Sequence, residues 1–408
     1  MVPDRWEVRT LGSLGEFTNG INKSKEDFGF GSPFVNLQDV FGVNEISIPP
    51  LGLVNATPEE IRRYNLKVGD VLFVRSSVKP SGVGLTAVVT NELEQTVFSG
   101  FIIRFRQSKA KLITPFLKFC FYEPSFRRCL LASSSISANT NINQKSLEKL
   151  TIAVPPRHEQ EKIAAILSSV DEAIASTQAV IDQTRKVKQG LLQQLLTRGE
   201  HSNKKDVVGT KKAPLRLLDE VAKRVTGHTP NRKKPEYWDG GIKWVSLQDS
   251  AALDRVYIHE TAAEISEEGI RNSSAVKHPK GTVVLSRDAG VGKSAITTDE
   301  MAVSQHFIGW ICGLELDNHY LYYWLQYMKP VFEEIAIGST IKTIGMPFFK
   351  KLKIPVPPIE TQIQIASILL STDKQFFFAE EELERLNILK RGLMQDLLTG
   401  RVRVYSQE

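Results

Sequence analysis

Residues 290–294 read Gly-Val-Gly-Lys-Ser, and no other stretch of this chain comes closer to a catalytic motif. The stretch follows an apolar segment and resembles the loop in which backbone N–H groups and a lysine hold nucleotide phosphates. That loop also requires a glycine five residues before Gly292, and Arg287 stands there instead. We therefore expect a tight β-turn with a basic tip, not a nucleotide site.

Other reactive groups are scattered. The chain contains neither Asn-Pro-Pro-Tyr nor Asp-Pro-Pro-Tyr, the signature of amino-methylases, and no HExxH. Its seven histidines lie far apart, and Cys120, Cys129 and Cys312 form no CxxC pair. Neighbouring acids such as Glu159 and Glu161, or those at 380–382, fall on predicted helices and are expected on solvated faces. We predict no catalytic residue, no metal site and no cofactor.

The charge balance is mildly basic. The chain carries 52 Lys and Arg against 46 Asp and Glu, a formal net charge of +6. Such an excess suits an anionic partner without requiring one. The first residues lack the basic and then apolar pattern of a signal peptide, and no apolar run approaches the roughly 18 residues of a membrane span. We expect a soluble, cytoplasmic protein.

The chain repeats itself with a shift of 202 residues. Residues 152–197 align without a gap on residues 354–399, and 18 of the 46 positions are identical. Internal repeats of this kind determine architecture. Near the start of each copy stands a Pro-Pro pair, at 155–156 and 357–358, which can precede or open a helix but not lie inside one.

Both copies predict a long helix. Apolar residues recur at alternating steps of four and three, the period of a coiled-coil seam, so we expect each helix to pair with the other. Lys188 and Lys390 fall on this seam, and we expect their ammonium groups to reach outward to solvent. The residues predicted to form the seam and to support partner binding are Ile163, Leu167, Ile174, Ile181, Leu191, Leu195, Ile365, Leu369, Phe376, Leu383, Leu393 and Leu397.

The segments before the two helices correspond more weakly. Residues 34–39 (FVNLQD) resemble 244–249 (WVSLQD), and 69–75 (GDVLFVR) resemble 281–287 (GTVVLSR). These stretches are rich in Val, Ile and Phe between turn-forming residues, so they predict short strands. Residues 199–213 are polar and aperiodic and predict a linker. The predicted order is a first globular domain (1–154), a helix (155–198), the linker, a second globular domain (214–356), and a helix (357–400) with a C-terminal tail.

This organisation resembles the specificity subunit of Type I restriction-modification systems across nearly the whole chain. The stretch 226–230 (TGHTP), leading through 235–238 (PEYW) to 244–246 (WVS), looks like the opening motif of a target-recognition domain in that family. Residues 286–287, 290–293 and 304–307 (SQHF), both Pro-Pro helix starts and both Leu-Leu-Thr helix ends also look like family motifs. The first half departs from the pattern, with TNGIN at 18–22 and no Thr-Pro.

The resemblance implies an α+β fold: two similar β-rich target-recognition domains separated by two long antiparallel coiled-coil helices, in a pseudo-two-fold arrangement. It further implies that the domains read two short DNA half-sites separated by a spacer of any sequence. The helices would bind two modification (methyltransferase) subunits, and ATP-dependent restriction subunits would join through these.

Reading double-stranded DNA needs cations for phosphates and side chains that reach base edges, where Arg and Lys suit guanine and Asn and Gln suit adenine. The first-half candidates are Asn19, Asn22, Lys23, Gln38, Arg75, Lys79 and Asn141, the last within the polar run 133–141. The second-half candidates are His228, Asn231, Arg232, Lys233, Gln248, Arg287, Lys293, Lys342 and Thr343, with Lys234 beside them.

The repeat helps to sort these candidates, because domains that read different bases should differ where they read them. Gln38/Gln248 and Arg75/Arg287 are shared, so we expect scaffold or phosphate roles for them. Asn22, Lys79, Asn231 and Lys293 are the stronger candidates for specificity.

Two alternatives remain from the sequence. A stand-alone restriction enzyme would need a nuclease or methylase motif, and none is visible. A scaffold that binds only protein through its helices would leave the polar, basic loops of the globular halves without a role.

Overall fold

The computed structural model describes residues 3–46, 51–109, 111–136, 139–196, 213–338 and 342–404. Residues 199–212 of the predicted linker therefore lie outside the described residues. The chain divides into two compact units. Unit 1 comprises Met1–Thr177 together with Glu382–Glu408, and unit 2 comprises Gln178–Glu381. Each unit thus contains segments that are distant in sequence.

The core of unit 1 is a five-stranded sheet backed by small sheets and helices. Its strand order is Gly15–Asn19, Ile102–Gln107, Val71–Val74, Thr86–Val89 and Glu45–Ile46. Only the last pairing is parallel. The central strands are buried on both faces and rich in Val, Ile and Phe, which explains their continuous apolar runs. The smaller sheets contain Gly52–Val54, Phe28–Val35 and Val97–Phe98; Ser135–Ile136, Thr140–Asn141 and Ser76–Ser77; and Glu7–Thr10 with Thr151–Val154.

Unit 2 repeats this plan. Its five-stranded sheet runs in the equivalent order Ala222–Thr226, Phe307–Cys312, Val283–Ser286, Ser294–Thr297 and Tyr257–Ile258, again with a parallel last pairing. The smaller sheets contain Glu264–Ile265, Trp238–Val245, Met301–Val303 and Lys277–His278, and Leu215–Leu217 with Lys353–Pro355. The prediction of an α+β fold with two similar β-rich domains is confirmed.

Short helices cover the sheets, and two long helices follow the domains. The long helices are Arg157–Leu196 and Ile359–Leu398, 40 residues each. The short α-helices in the globular domain of unit 1 are Leu11–Leu14, Leu37–Val40, Pro58–Tyr64, Thr114–Cys120, Pro124–Ala132 and Gln144–Lys149. Those in the globular domain of unit 2 are Leu218–Val221, Glu267–Arg271, Asn318–Ile335 and Met346–Lys350. No helix among the described residues is both long and apolar enough to cross a bilayer.

A repeated glutamine joins each long helix to its own domain. The Gln160 carboxamide accepts a hydrogen bond from the Ile113 backbone N–H and donates to the carbonyls of Lys111 and Pro155. Gln362 makes the same three bonds, to Asp317, Glu315 and Pro357. Both carboxamides are buried, so full pairing makes their burial tolerable and sets the direction in which the helix leaves the domain.

Within each unit, the first half of one long helix packs on the second half of the other. In unit 1, Ile163 and Leu167 share a core with Leu397 and Leu398. In unit 2, Ile365 and Leu369 share a core with Leu196. The segments run antiparallel in each unit. In unit 2, Asp373 contacts Lys188 and Phe376 contacts Arg185, so a step forward along one helix is a step back along the other. In unit 1, Asp171 contacts Lys390, whereas the earlier Ile163 shares a core with the later Leu397. Six of the predicted seam residues are buried: Ile163, Leu167, Ile181, Ile365, Leu369 and Leu397. The other six are half-buried: Ile174, Leu191, Leu195, Phe376, Leu383 and Leu393.

The seam lysines form ion pairs, so the expectation that they reach outward was wrong. Lys188 lies 2.5 Å from Asp373, whose side chain is 1% exposed. In unit 1, Lys390 lies 2.5 Å from Asp171, the residue equivalent to Asp373. The physical reason is that each seam carries an aspartate opposite the lysine of the partner helix. The ion pair with this carboxylate replaces the hydration of the lysine ammonium group, so the lysine can stay at the seam.

Neighbouring groups complete both pairs. The Tyr323 hydroxyl donates to Asp373 at 3.0 Å, and the Asn44 amide donates to Asp171 at 2.8 Å. Burial and the nearby Asp373 carboxylate raise the pKa of Tyr323, so its hydroxyl stays protonated and available as a donor. Each aspartate therefore contacts both a lysine of the other long helix and a side chain of the domain that precedes its own helix.

Glu159 is also not on a solvated face, contrary to expectation. Its carboxylate is buried and accepts hydrogen bonds from Arg403, at 2.6 and 3.0 Å, and from the Trp6 indole at 3.3 Å. Burial opposes ionisation, but the bonds from Arg403 and Trp6 outweigh it and lower the pKa of Glu159. The C-terminal segment is thereby joined to the start of the first long helix.

We expect Asp373→Asn to lower the free energy of unfolding by about 2–3 kcal/mol, because it leaves the Lys188 ammonium half-buried without its anion. The double variant Lys188→Gln/Asp373→Asn removes both charges and should recover most of the loss. Urea unfolding of the full chain measures both. A single variant as stable as the double one would contradict an energetic role for the pair.

We expect the Glu159 contribution to depend on pH. Because its pKa is lowered by folding, its stabilisation is complete above the unfolded carboxyl pKa of about 4.3 and is lost as pH falls through the folded value. Glu159→Gln should therefore be destabilised at pH 7 and flatten the acid limb of the stability profile. Glu161→Gln, on the exposed side of the same turn, is the matched control and should change neither.

Candidate nucleic-acid interface

The two units hold equivalent frameworks around the candidate residues. In unit 1, the Arg75 N–H donates to the Phe101 carbonyl and the Ile142 N–H to the Arg75 carbonyl. In unit 2, the Arg287 N–H donates to the His306 carbonyl and the Ile344 N–H to the Arg287 carbonyl. Arg75 therefore corresponds to Arg287, and Asn141 to Thr343. The candidates can be compared position by position.

The basic loop of unit 2 lies on two tryptophans. The Arg232 guanidinium stands 5.2 Å from the Trp238 ring centroid and 5.8 Å from that of Trp244. The Trp244 indole donates to the His228 carbonyl, and the Trp238 indole to the Asn231 carbonyl. The loop backbone is thus fixed while the side chains of His228, Asn231, Arg232 and Lys233 remain exposed. Cation–π contacts position Arg232 without neutralising its charge.

A pocket of about 200 Å³ gathers several of these groups. Arg232 and Gln248 line it together with Gln305 and His306. Gln305 and His306 were not among the predicted DNA-contacting residues, although the stretch 304–307 was recognised as a family motif. The signal that could have found them is their position in a turn beside Arg287, which only the strand pairing reveals.

The shared glutamines are exposed, whereas the aspartates next to them accept the hydrogen bonds that hold the turns. Asp39 accepts the Asn36 N–H, and Asp249 accepts the Ser246 N–H, both at 2.7 Å, which caps the short helical turns. Gln38 and Gln248 project from these turns to solvent.

The backbone at residues 290–294 forms the predicted tight turn, but the predicted basic tip is wrong, because the lysine folds back onto its domain. It joins strands Val283–Ser286 and Ser294–Thr297, and Gly290 and Gly292 adopt φ values of +104° and +86°. The Lys293 ammonium donates to the carbonyl and hydroxyl of Ser250, at 2.9 and 3.0 Å. These bonds hold the cation against its own domain.

The other unit 2 candidates lie beside this turn. The Arg287 Nε is buried without a hydrogen bond and lies 4.0 Å from Asp288, which in turn contacts the His306 imidazole at 2.8 Å. Thr343 pairs through its backbone with Ile337, and Lys342 is exposed. Strand pairing therefore brings Arg287, His306 and Thr343 together.

In unit 1, Asn22 and Arg75 converge on Gly100. The Arg75 guanidinium donates to the Gly100 carbonyl at 3.1 Å, and the Asn22 carboxamide lies over the Gly100 Cα. Asn141 pairs in register with Ser76, next to Arg75, and its amide donates to the Asn139 carbonyl. These three candidates therefore belong to one surface.

The remaining unit 1 candidates are more dispersed. Lys23 pairs with Glu60 at 2.8 Å, and this bond lowers the pKa of Glu60. Asn19 ends a strand with its side-chain oxygen buried and unpaired, and Lys79 is exposed before residues 80–82. Within the polar run 133–141, Ser137 and Ala138 lie outside the described residues. Among the described residues, no group of three His, Cys, Asp or Glu side chains is placed to bind a metal ion.

Two related domains, each bearing polar and cationic loops and each followed by a long helix, define an internally duplicated two-domain protein. Residues 3–184 and 215–387 match the model of the Type I restriction modification DNA specificity domain. The chain therefore belongs to the family of Type I restriction-modification specificity subunits.

Individual relatives match most or nearly all of the chain. The chain is 26% identical, over 99% of its length and 95% of the relative's, to the putative type I restriction enzyme MjaX specificity subunit of Methanocaldococcus jannaschii. It is 27% identical to the MjaVIII specificity subunit of the same organism, over 70% of each chain. The fold is similar to the crystal structure of the Type I S subunit from M. genitalium, with a TM-score of 0.63 and 16% identity over 97% of this chain and 96% of that one.

Proposed function

We propose that this chain reads a bipartite target in double-stranded DNA, with one half-site read by each globular domain, and has no catalytic site of its own. The observation that carries the proposal is the repeated framework that carries different side chains in the two units. Arg75 and Arg287 occupy equivalent positions, whereas Asn141 is replaced by Thr343 and Phe101 by His306. A shared frame with variable contacts is what reading two different sequences requires.

The boundaries of the modules follow from the repeat. The two target-recognition domains span about residues 1–154 and 214–356, and the helices 155–198 and 357–400 separate them. Phosphate contacts come from exposed cations such as Arg232, Lys233 and Lys342, and from Gln38 and Gln248. Sequence contacts come from the positions that differ between the units.

The partners belong to the same proposal. Two modification subunits bind the long helices, and restriction subunits join through them. Support comes from exposed apolar side chains on the helix faces away from the seam, including Val180, Phe378 and Ile388. Because the complex acts on cellular and incoming DNA, the chain works in the cytoplasm.

Exchanging residues 214–353 for those of a relative with a different target should change one half of the methylated site and leave the other half and the spacer unchanged. Methylome sequencing of cells that carry the exchanged chain with its modification subunits provides the measurement. A change in both halves, or in neither, would contradict one-domain, one-half-site reading.

The purified chain should hydrolyse no ATP, because Lys293 is held by Ser250 and the phosphate-loop glycine is replaced by Arg287. It should transfer no methyl group, because the sequence lacks the amino-methylase signature. Assays with labelled ATP and a labelled methyl donor, on protein free of partner subunits, test this. An activity that disappears in Lys293→Ala would overturn it.

A further inference from the structure

Each unit presents one tight turn beside its shared arginine. In unit 1 the turn is residues 99–102, in which the Ile102 N–H donates to the Ser99 carbonyl. In unit 2 it is residues 304–307, in which the Phe307 N–H donates to the Ser304 carbonyl. The first residue of the turn is serine in both units, but the next two are Gly100-Phe101 in one and Gln305-His306 in the other. The backbone is shared and the exposed side chains differ.

A second position varies together with the turn. Gly20 and Gly227 are equivalent, since a Cβ on either would meet the same carbonyl region, at Phe98 and Val303 respectively. Two residues further on, Asn22 therefore corresponds to Thr229.

The two variable positions compensate each other in size. In unit 1 a Cβ on Gly100 would lie 2.0 Å from the Asn22 Oδ1, so the Asn22 carboxamide occupies the space above the glycine. In unit 2 the shorter Thr229 leaves this space to the Gln305 side chain, and its hydroxyl donates to the Gln305 Oε1 at 2.5 Å. Each unit thus places one carboxamide in this space. It comes from Asn22, two residues after Gly20, in unit 1, and from Gln305 of the tight turn in unit 2.

We propose that these carboxamides, Asn22 in unit 1 and Gln305 in unit 2, are equivalent adenine-reading groups, one for each half-site. The proposal rests on the proposed function and names the base that this position recognises. A carboxamide donates to adenine N7 through its nitrogen and accepts from the N6 amino group through its oxygen, a pairing that no other base edge in the major groove offers.

The surroundings suit base reading. Both side chains are exposed and neutral, and among the described residues the polar contacts of the Gln305 carboxamide are with the Thr229 hydroxyl, at 2.5 Å, and with the His306 ring nitrogen, at 3.5 Å. Thr229 uses one lone pair of the Gln305 oxygen and leaves the other for N6. The flanking side chains also differ: Phe101 is 56% exposed and offers an apolar surface, whereas His306 is fixed by Asp288. The neighbouring Arg75 and Arg287 are shared, as groups that support the turn in both units would be.

The first test uses the complete chain with its modification subunits and a pool of randomised DNA targets. Asn22→Ala should abolish the preference for adenine at one position of the half-site read by unit 1, and weaken binding to the original target about tenfold. Gln305→Ala should do the same in the other half-site only, so each variant is the control for the other. An unchanged adenine preference in either variant would overturn the proposal.

A transplant separates reading from mere support. Asn22→Thr should lose the adenine preference, and adding Gly100→Gln should restore it, because the pair then reproduces the unit 2 arrangement. Gly100 does not require the left-handed backbone region, so the glutamine can be accommodated there. A double variant that folds with an unchanged melting temperature but stays as unselective as Asn22→Thr would contradict equivalence of the two amides.

Replacing the read adenine with 7-deazaadenine removes only the N7 acceptor. It should weaken binding of the unaltered chain several-fold and leave binding of Asn22→Ala unaffected. Absence of any bipartite preference in the unaltered complex would refute the proposed function itself. A normal bipartite target that is indifferent to these changes would refute the adenine-reading proposal alone.

Discussion

Neither long helix can bury its apolar stripe on its own domain, and the fold depends on this constraint. Each unit completes its core with the second half of the helix that follows the other domain. Apolar contact alone tolerates sliding along the seam, whereas an aspartate that must meet one lysine does not. The pairs Lys188–Asp373 and Lys390–Asp171 therefore select one register in each unit. Tyr323 and Asn44 extend that selection into the domains.

The dependence of the fold on helix pairing explains why the two copies are most similar at the residues that pair the helices, away from the surface proposed to read DNA. The glutamines that anchor the helix starts and the aspartates and lysines of the seam recur identically at a shift of 202 residues. The surface proposed to read DNA is built on equivalent backbone in the two units, yet its side chains differ. A duplicated frame can therefore acquire two different targets without any change in how its helices pair.

Much of this architecture could be predicted from the sequence. The repeat, the two long helices and the turn at residues 290–294 follow from periodicity and glycine placement. Periodicity identifies the buried face of a helix but not its partners, so the seam lysines and Glu159 were misplaced. Arg403, which pairs with Glu159, lies 244 residues away. Gln305 was missed for a similar reason, since its relation to Thr229 and to Gly100 exists only through the strand pairing.

The central claim is that one chain reads two separate half-sites, and methylome sequencing of cells with and without this chain tests it most directly. In the presence of the modification subunits, the account predicts a chain-dependent methylated motif made of two defined parts around a spacer of constant length and free sequence. Chain-dependent methylation at a single continuous motif, or methylation that does not depend on the chain, would contradict it.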